Sequence, residues 1–338
     1  MNAPGGTLPA LITAVDAGAD SVYIGFRSAT NLRNLPGLNF SLEEAAEGVK
    51  YAHARGAEVF IAVNTHPADD HLDQCFRAID DAKDIGADAA IIADWGLLEY
   101  ARNKHPDLPV HLSCLAGASD GAAIRFYHEQ FGVKCVILPR VLSLEQVAAV
   151  RAETDVLLEA IVFGVLCANY DGRCCLSSFI TGSSANSNGA CTPVEHLEFI
   201  EDQNARTTVR LNGIAIDSFG ADEQHPYPAP CKGTYYNRAI GRSLRAFQDS
   251  CSLNAMSVLP GLAAAGVNTV KIEGRQRSLA YVRLVTSIWR QAIDALERQD
   301  VSSHGICENE EIQAVLEGKT GTPGAFLHSY SGSIRQTQ

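Results

Sequence analysis

The chain has 338 residues, 39 acidic against 27 basic, a formal charge of -12 at neutral pH, and ten cysteines. Its 46% hydrophobic and 20% charged residues are those of a folded globular protein, which excludes a disordered or fibrous chain. The acidity disfavours nonspecific attraction to a phosphate backbone or an anionic membrane, so no nucleic-acid partner is expected.

The opening Met1-Asn-Ala-Pro-Gly-Gly6 has no charged segment leading into an apolar run, and no stretch reaches the roughly 18 apolar residues of a membrane helix. A cytoplasmic protein without a membrane span is expected, and in that compartment a disulfide framework is not.

Two patterns then alternate along the chain. Short β-branched runs at Ser21 to Phe26, Val59 to Val63, Ala89 to Ala93, Val110 to Leu112, Cys135 to Leu138 and Val156 to Phe163 are separated by segments of helical period. Serines open several helices, as in Ser41-Leu-Glu-Glu44 and Ser143-Leu-Glu-Gln146, and glycines at 18, 56, 86, 132 and 266 each stand just before a strand. After Phe163 the rhythm gives way to a region rich in Gly, Ser, Asn and Cys. It resumes with a helix from Asn254 to Ala265, the strand Thr269 to Ile272 and a long helix from Ser278 to about Arg298.

Seven strands are visible, so either residues 1 to 3 form a stub of an eighth or the sheet is open there. The expected fold is a (β/α)8-like, TIM-type barrel over residues 1–299, its first strand truncated. It carries a cysteine-bearing insertion at 165–253 and is followed by a tail at 300–338. A doubly wound sheet is the competing fold, but no strand leads into a Gly-x-Gly-x-x-Gly loop.

In a barrel the working face lies at the carboxyl ends of the strands. Those positions hold Gly25 with Asn31, Asn64 and Thr65, Asp94, Ser113, Arg140, Glu159, Cys167, and Lys271, Glu273 and Arg275. Any strand turns polar where it leaves the core, so the set marks a site where no single member would. Arg140, Lys271, Arg275 and Lys232 would form a cationic patch for an anion such as a dicarboxylate. The competing role for Lys271 and Arg275 is an internal ion pair with Glu273 and neighbouring acids.

The cysteines divide by context. Cys75, Cys114, Cys135, Cys251 and Cys307 read as core filling or idle thiols. Cys167, Cys174, Cys191 and Cys231 lie in the insertion with the spacing C-x6-C-x16-C-x39-C, and Cys175 reads as a bystander beside them. Soft thiolates on glycine-rich loops suit an iron–sulfur cluster or zinc. Structural zinc usually brings ligands in close pairs, absent here, and a set without any metal stays a third option.

Leu8-Pro-Ala-Leu11, Gly18-Ala-Asp-Ser-Val-Tyr-Ile-Gly25, the four spaced cysteines and Val270-Lys-Ile-Glu-Gly-Arg-Gln-Arg-Ser278 resemble the collagenase-like peptidase U32 family, over residues 4 to 298. Within it, several further segments are similar to the branch that serves ubiquinone biosynthesis. These are Leu32-Arg-Asn-Leu-Pro-Gly-Leu-Asn-Phe40, Val136-Ile-Leu-Pro-Arg-Val-Leu-Ser143, Gly172-Arg-Cys-Cys-Leu-Ser-Ser178, Gly189-Ala-Cys-Thr-Pro193 and Cys231-Lys-Gly233. Phe163-Gly164 and Pro193-Val-Glu195 stand where many other relatives have a histidine and a further cysteine.

The resemblance implies a 4Fe-4S cluster held by Cys167, Cys174, Cys191 and Cys231. It implies a subunit of an O2-independent hydroxylase complex that works anaerobically on the ring of a prenylated ubiquinone precursor, as a heterodimer with a UbiV-like protein. The hydroxyl group would come from an anionic donor such as prephenate, held by Arg140, Lys271 and Arg275 around Glu273. Two positions depart from the family pattern: Ala3 replaces a cysteine that ends a fuller first strand, and Leu115 stands where a glutamine often follows Ser113.

Other readings are a tRNA or rRNA hydroxylation protein of the same family and a noncatalytic stabilising subunit. Proteolysis is not supported: there is no His-Glu-x-x-His or Gly-x-Ser-x-Gly, no cysteine has an obvious histidine partner, and His111 and His128 read as structural. Gly318-Lys-Thr320 resembles the end of a phosphate-binding loop but lacks the earlier glycine and the preceding strand, and reads as a turn in the tail.

Overall fold

A computed structural model describes residues 1–167, 171, 174–220, 228–249, 251–298, 309–317 and 320–327. Cys307 and the Gly318-Lys319 pair lie outside the described residues. The strands in chain order begin with β1 (Asn2–Pro4), β2 (Ser21–Ile24), β3 (Glu58–Val63), β4 (Ala89–Ile92), β5 (Val110–Leu112), β6 (Cys135–Leu138) and β7 (Leu157–Val165). The insertion contributes β8 (Leu197–Glu201), β9 (Arg206–Leu211), β10 (Ile214–Gly220), β11 (Thr234–Asn237) and β12 (Arg242–Arg245). The chain then adds β13 (Ser252–Asn254), β14 (Thr269–Ile272) and β15 (Gly321–Thr322).

Strands β1 to β7 run parallel in sequence order, and β14 pairs with both β1 and β7, so eight parallel strands close into a barrel. The stub forms: Asn2 pairs with Ser21 on one side and Lys271 on the other, and closes the ring. Helices α1 (Leu8–Asp16), α2 (Leu42–His53), α3 (Leu72–Asp84), α4 (Trp95–Lys104), α5 (Gly121–Phe131), α6 (Leu144–Glu153) and α9 (Leu259–Ala264) pack outside, and α7 (Leu176–Thr181) and α8 (Ala185–Asn188) belong to the insertion. The α/β alternation read from hydrophobic period is thus a TIM-type barrel.

Local chemistry explains the boundaries. Ser41 and Ser143 each accept from the amide three residues on, and Glu44 and Gln146 return the bond, so both are capping boxes. The five glycines before strands all take positive φ, from +70° at Gly132 to +94° at Gly18. The left-handed turn stops the helix and aims the chain back into the sheet.

Alternate residues of each strand then face the interior, where Tyr23, Phe60, Ile91, Ile137 and Ile161 meet, or the helix layer, where Val22, Val59, Ile92 and Val162 join the main core.

Three features carried no periodic signal. The insertion folds β8, β9 and β10 into an antiparallel sheet over a small core of Val209, Leu211 and Ile216. Strand β13 returns antiparallel to the end of β7. Part of the tail docks as well: β15 pairs parallel to β13, and Ile312 of α11 (Glu310–Ala314), Leu316 just after it and Phe326 just after β15 are buried in the main core. No helix among the described residues is long and apolar enough to cross a membrane.

Helix α10 (Leu279–Glu297) locks the last barrel strands, with Trp289 fully buried and edge-on to Phe163 at 6.2 Å between ring centroids. Trp289→Ala is expected to cost about 3–5 kcal/mol by opening a cavity, read as a lower denaturation midpoint at an unchanged slope.

Candidate functional site

At the carboxyl ends of the strands a cavity opens between Tyr23, Asn64, Ser113, Arg140, Lys271 and Glu273, with Arg275 and Arg277 at its side. The sequence-derived residues Asn64, Ser113, Arg140, Lys271, Glu273 and Arg275 all line it. Others serve the scaffold. Asp94 caps α4 by accepting from Gly96 and Leu97 at 2.9 and 3.2 Å. Thr65 is buried and donates to the Ala29 carbonyl at 3.1 Å. Gly25 is required by close approach, since a Cβ there would stand 2.6 Å from the Arg275 guanidinium and 2.7 Å from Asn31.

The basic side chains differ in how they are held. Arg140 donates to the Val165 carbonyl at 2.8 Å, to Glu273 at 2.6 Å and to Asp171 at 2.6 Å, and its own amide donates to Asp171 at 3.1 Å. Burial opposes its charge, and the carboxylates of Asp171 and Glu273 more than offset that, holding its pKa well above the ordinary value. Lys271 pairs with the buried Glu159 at 3.0 Å and lies 3.5 Å from the centre of the Tyr23 ring. Lys232 pairs with Glu317, and both are buried.

Arg275 has no carboxylate within ion-pairing distance among the described residues. It donates to Asn39 at 3.2 Å, its Nε is buried without a partner, and burial pushes its pKa down to about 10. Among the described residues five cationic side chains line the mouth (Arg33, Arg140, Lys271, Arg275 and Arg277) against the carboxylates of Glu273 and Glu317, while Asp171 and Glu159 pair with Arg140 and Lys271.

A second cavity adjoins the first. Cys167, Cys174, Cys191 and Cys231, up to 64 positions apart in sequence, all line it. Its remaining walls include Leu35, Leu166, Ala190 and Ala229, and it shares Leu32, Arg33, Leu115, Arg140, Val165 and Gln276 with the barrel mouth. Cys175, expected as a bystander, is exposed at the start of α7 (Leu176–Thr181).

Burial raises the Cys191 thiol, with Arg33 pulling it back. Burial and the neighbouring Cys167 and Cys191 push Cys231 up to about 11. Cys191 and Cys231 resist losing their protons beside two further cysteines, and a thiophilic metal centre would supply the positive charge that favours their thiolates. The donor set therefore fits a metal group with soft-ligand preference.

Another group could hold a metal: ligand atoms of His111, Cys135 and Glu159 lie within 4.8 Å of one another in the barrel interior. Burial keeps His111 low and Cys135 high in pKa, both favouring their neutral forms, while Lys271 and Asn2 already satisfy Glu159. His128 bonds the Val133 carbonyl at 2.8 Å and holds the end of α5, the structural role expected of it.

Arg33 was missed in the sequence. It sits in the aperiodic loop after β2, 3.7 Å from Glu273. The only signal pointing to it is the asparagine pair Asn31 and Asn39 that brackets it.

The architecture is that of a TIM-type barrel with a thiol-lined pocket against the carboxyl ends of its strands. The family model for Peptidase family U32 matches residues 6–336, and the chain belongs to that family. It is 30% identical over 99% of its length to "tRNA hydroxylation protein P1" of Bacillus subtilis, covering 74% of that protein. To "tRNA hydroxylation protein P" of Escherichia coli it is 32% identical, covering 86% of this chain and 67% of the relative. It is also 30% identical to the "23S rRNA 5-hydroxycytidine C2501 synthase" of Escherichia coli, over 95% of this chain but only 44% of that protein.

In metal-free protein Cys231 should alkylate slowly at pH 8 and faster as pH rises toward about 11. Because unfolding returns the thiol to its lower ordinary pKa, the metal-free protein should also lose stability over that same rise. Peptide mapping after iodoacetamide and denaturation against pH check both; fast labelling at pH 8 would contradict the raised thiol.

Proposed function

We propose that the chain is the 4Fe-4S subunit of an O2-independent hydroxylation system that places a hydroxyl group on a ring carbon. One observation carries this reading: Cys167, Cys174, Cys191 and Cys231, remote in sequence, face one cavity that opens onto a cationic barrel mouth. When bound, the cluster supplies redox-active iron at that junction. Arg275, whose Nε is unsatisfied, and Lys271 at the cavity floor bind the carboxylates of an anionic hydroxyl donor such as prephenate. Arg140, fixed by Asp171 and Glu273, holds the wall between donor and cysteines in place. Leu32, Leu115 and Val165 keep water from that wall.

The likeness to tRNA and rRNA hydroxylation proteins favours an RNA base as the ring. A second reading, the prenylated ubiquinone precursor with a UbiV-like partner, is favoured by Phe163-Gly164 and Pro193-Val-Glu195 and by the charge of -12, which repels a polyanion. The family's peptidase name finds no support among the described cavity residues, which include no histidine: His128 holds the end of α5 and His111 packs edge-on to Phe60.

Cys174→Ala is expected to yield anaerobically purified protein without bound iron or visible thiolate-to-iron absorbance. Retention of that band would overturn the ligand set. In cells lacking the protein and grown without oxygen, mass spectrometry of ubiquinone and of RNA nucleosides should show which hydroxylated product disappears and returns with the wild type but not with C174A. If Arg140→Gln and Arg275→Gln abolish hydroxylation while iron content stays intact, the subunit is catalytic; unchanged product would leave it a stabilising one.

A further inference from the structure

The loop from Asn31 to Phe40 is built to present one side chain. Asn31, fully buried, donates to the Phe26 carbonyl at 2.9 Å and accepts from the Arg33 amide at 3.2 Å. Asn39, equally buried and at φ +70°, donates to the Arg33 carbonyl at 2.7 Å and accepts from Arg275 at 3.2 Å. The Leu32 amide donates to Asn64 at 3.2 Å, which ties the loop to the end of β3.

The turn that carries Cys191 is docked on the same loop. Asn34 donates to the Gly189 carbonyl at 3.3 Å, and a Cβ on Gly189 would lie 2.2 Å from the Asn31 carbonyl oxygen. Two buried amides and a glycine contact thus fix the backbone at Arg33 against both the barrel and a proposed cluster ligand.

The guanidinium itself is held loosely. It donates to the Leu32 carbonyl at 2.7 Å and faces Glu273 at 3.7 Å, beyond hydrogen-bond length. Of the described residues that line both cavities, only Arg33, Arg140 and Gln276 have polar side chains, and Arg140 has committed its guanidinium to Asp171, Glu273 and Val165. Arg33 is the cation at the junction with capacity to spare.

We infer that Arg33 couples the two cavities: its guanidinium contacts a carboxylate of the anionic donor from the cysteine side, and its charge raises the reduction potential of the group held by the cysteines. This rests on the cluster reading above. A cation beside a thiolate-ligated cluster stabilises the reduced, more negative form, and net charge near a cluster is one of the levers on its potential. Donor binding would neutralise that cation and so lower the potential, which is a physical link between occupancy of the mouth and the readiness of the cluster to accept an electron.

The test is a redox titration of anaerobically purified protein followed by electron paramagnetic resonance, with and without prephenate. Arg33→Gln should keep its iron and titrate at a lower potential, with Arg33→Lys intermediate. Glu273→Gln, which releases Arg33 and Arg140 from their shared carboxylate, should shift the potential upward. Opposite signs separate an electrostatic role from general loosening, and the second variant serves if R33Q holds iron poorly.

Prephenate should lower the wild-type potential but not that of R33Q, and should bind R33Q about tenfold or more weakly, the effect of losing a charge-assisted hydrogen bond. Iron-replete R33Q with the wild-type potential, or E273Q shifting downward, would overturn the inference. Wild-type protein that binds no iron would overturn the cluster reading itself, and this inference with it.

Discussion

Glu159 carries its charge inside the barrel at 1% exposure, a placement that costs several kcal/mol unless the charge is matched. The way it is matched organises the site above it. Lys271 on β14 supplies the counter-charge at 3.0 Å, and the Asn2 amide on β1 donates to both carboxylate oxygens at 3.1 and 3.3 Å. Three strands that meet at the closure of the barrel are therefore joined through one side chain. A three-residue β1 suffices because its single inward amide is spent on this carboxylate. The same pairing fixes the Lys271 ammonium over the Tyr23 ring, where it forms the floor of the mouth.

One layer higher, Glu273 repeats the device with a different balance. Its carboxylate faces both Arg140 and Arg33, so one negative charge is shared between two guanidinium groups. Asp171 completes the neutralisation of Arg140 alone. The polar layers therefore grade from a matched pair in the interior to a surplus of cations at the mouth. Positive charge is left where a ligand can reach it, next to the thiols.

Much of the barrel was legible because its signals are local. Gly18, Gly56, Gly86, Gly132 and Gly266 each need positive φ, and only glycine adopts it without strain, so the helix ends were written in residue type. Ser41 and Ser143 marked helix starts in the same way. The closure was less legible: Asn2 to Pro4 is too short to show a period, and its identity as a strand comes from partners at 21 and 271.

The sheet of β8 to β10 went unseen because its strands are mostly exposed. The docking of 309–327 went unseen because three scattered apolar residues, Ile312, Leu316 and Phe326, do the burying. In the site, the cysteines stood out by type and spacing and the strand-end cations by position. Arg33 did not, since nothing in an aperiodic loop tells a solvated arginine from one aimed inward until Asn31 and Asn39 are seen to spend their amides on its backbone.

The net charge of -12 and the cationic mouth are reconciled by length scale. Exposed charges are screened over roughly 8 Å at physiological ionic strength, whereas the arginines of the mouth act within a cavity of partly buried, low-dielectric walls. A polyanion laid across the surface would meet a net charge of -12 and gain from the mouth only where it enters. A small dianion would meet Arg275, Lys271 and Arg33 and little of the acidic exterior. On the function proposed above, a small anionic co-substrate would be the partner for which this distribution of charge is selective, and the ring would approach across the apolar wall of Leu32, Leu115 and Val165 that the mouth shares with the cysteines.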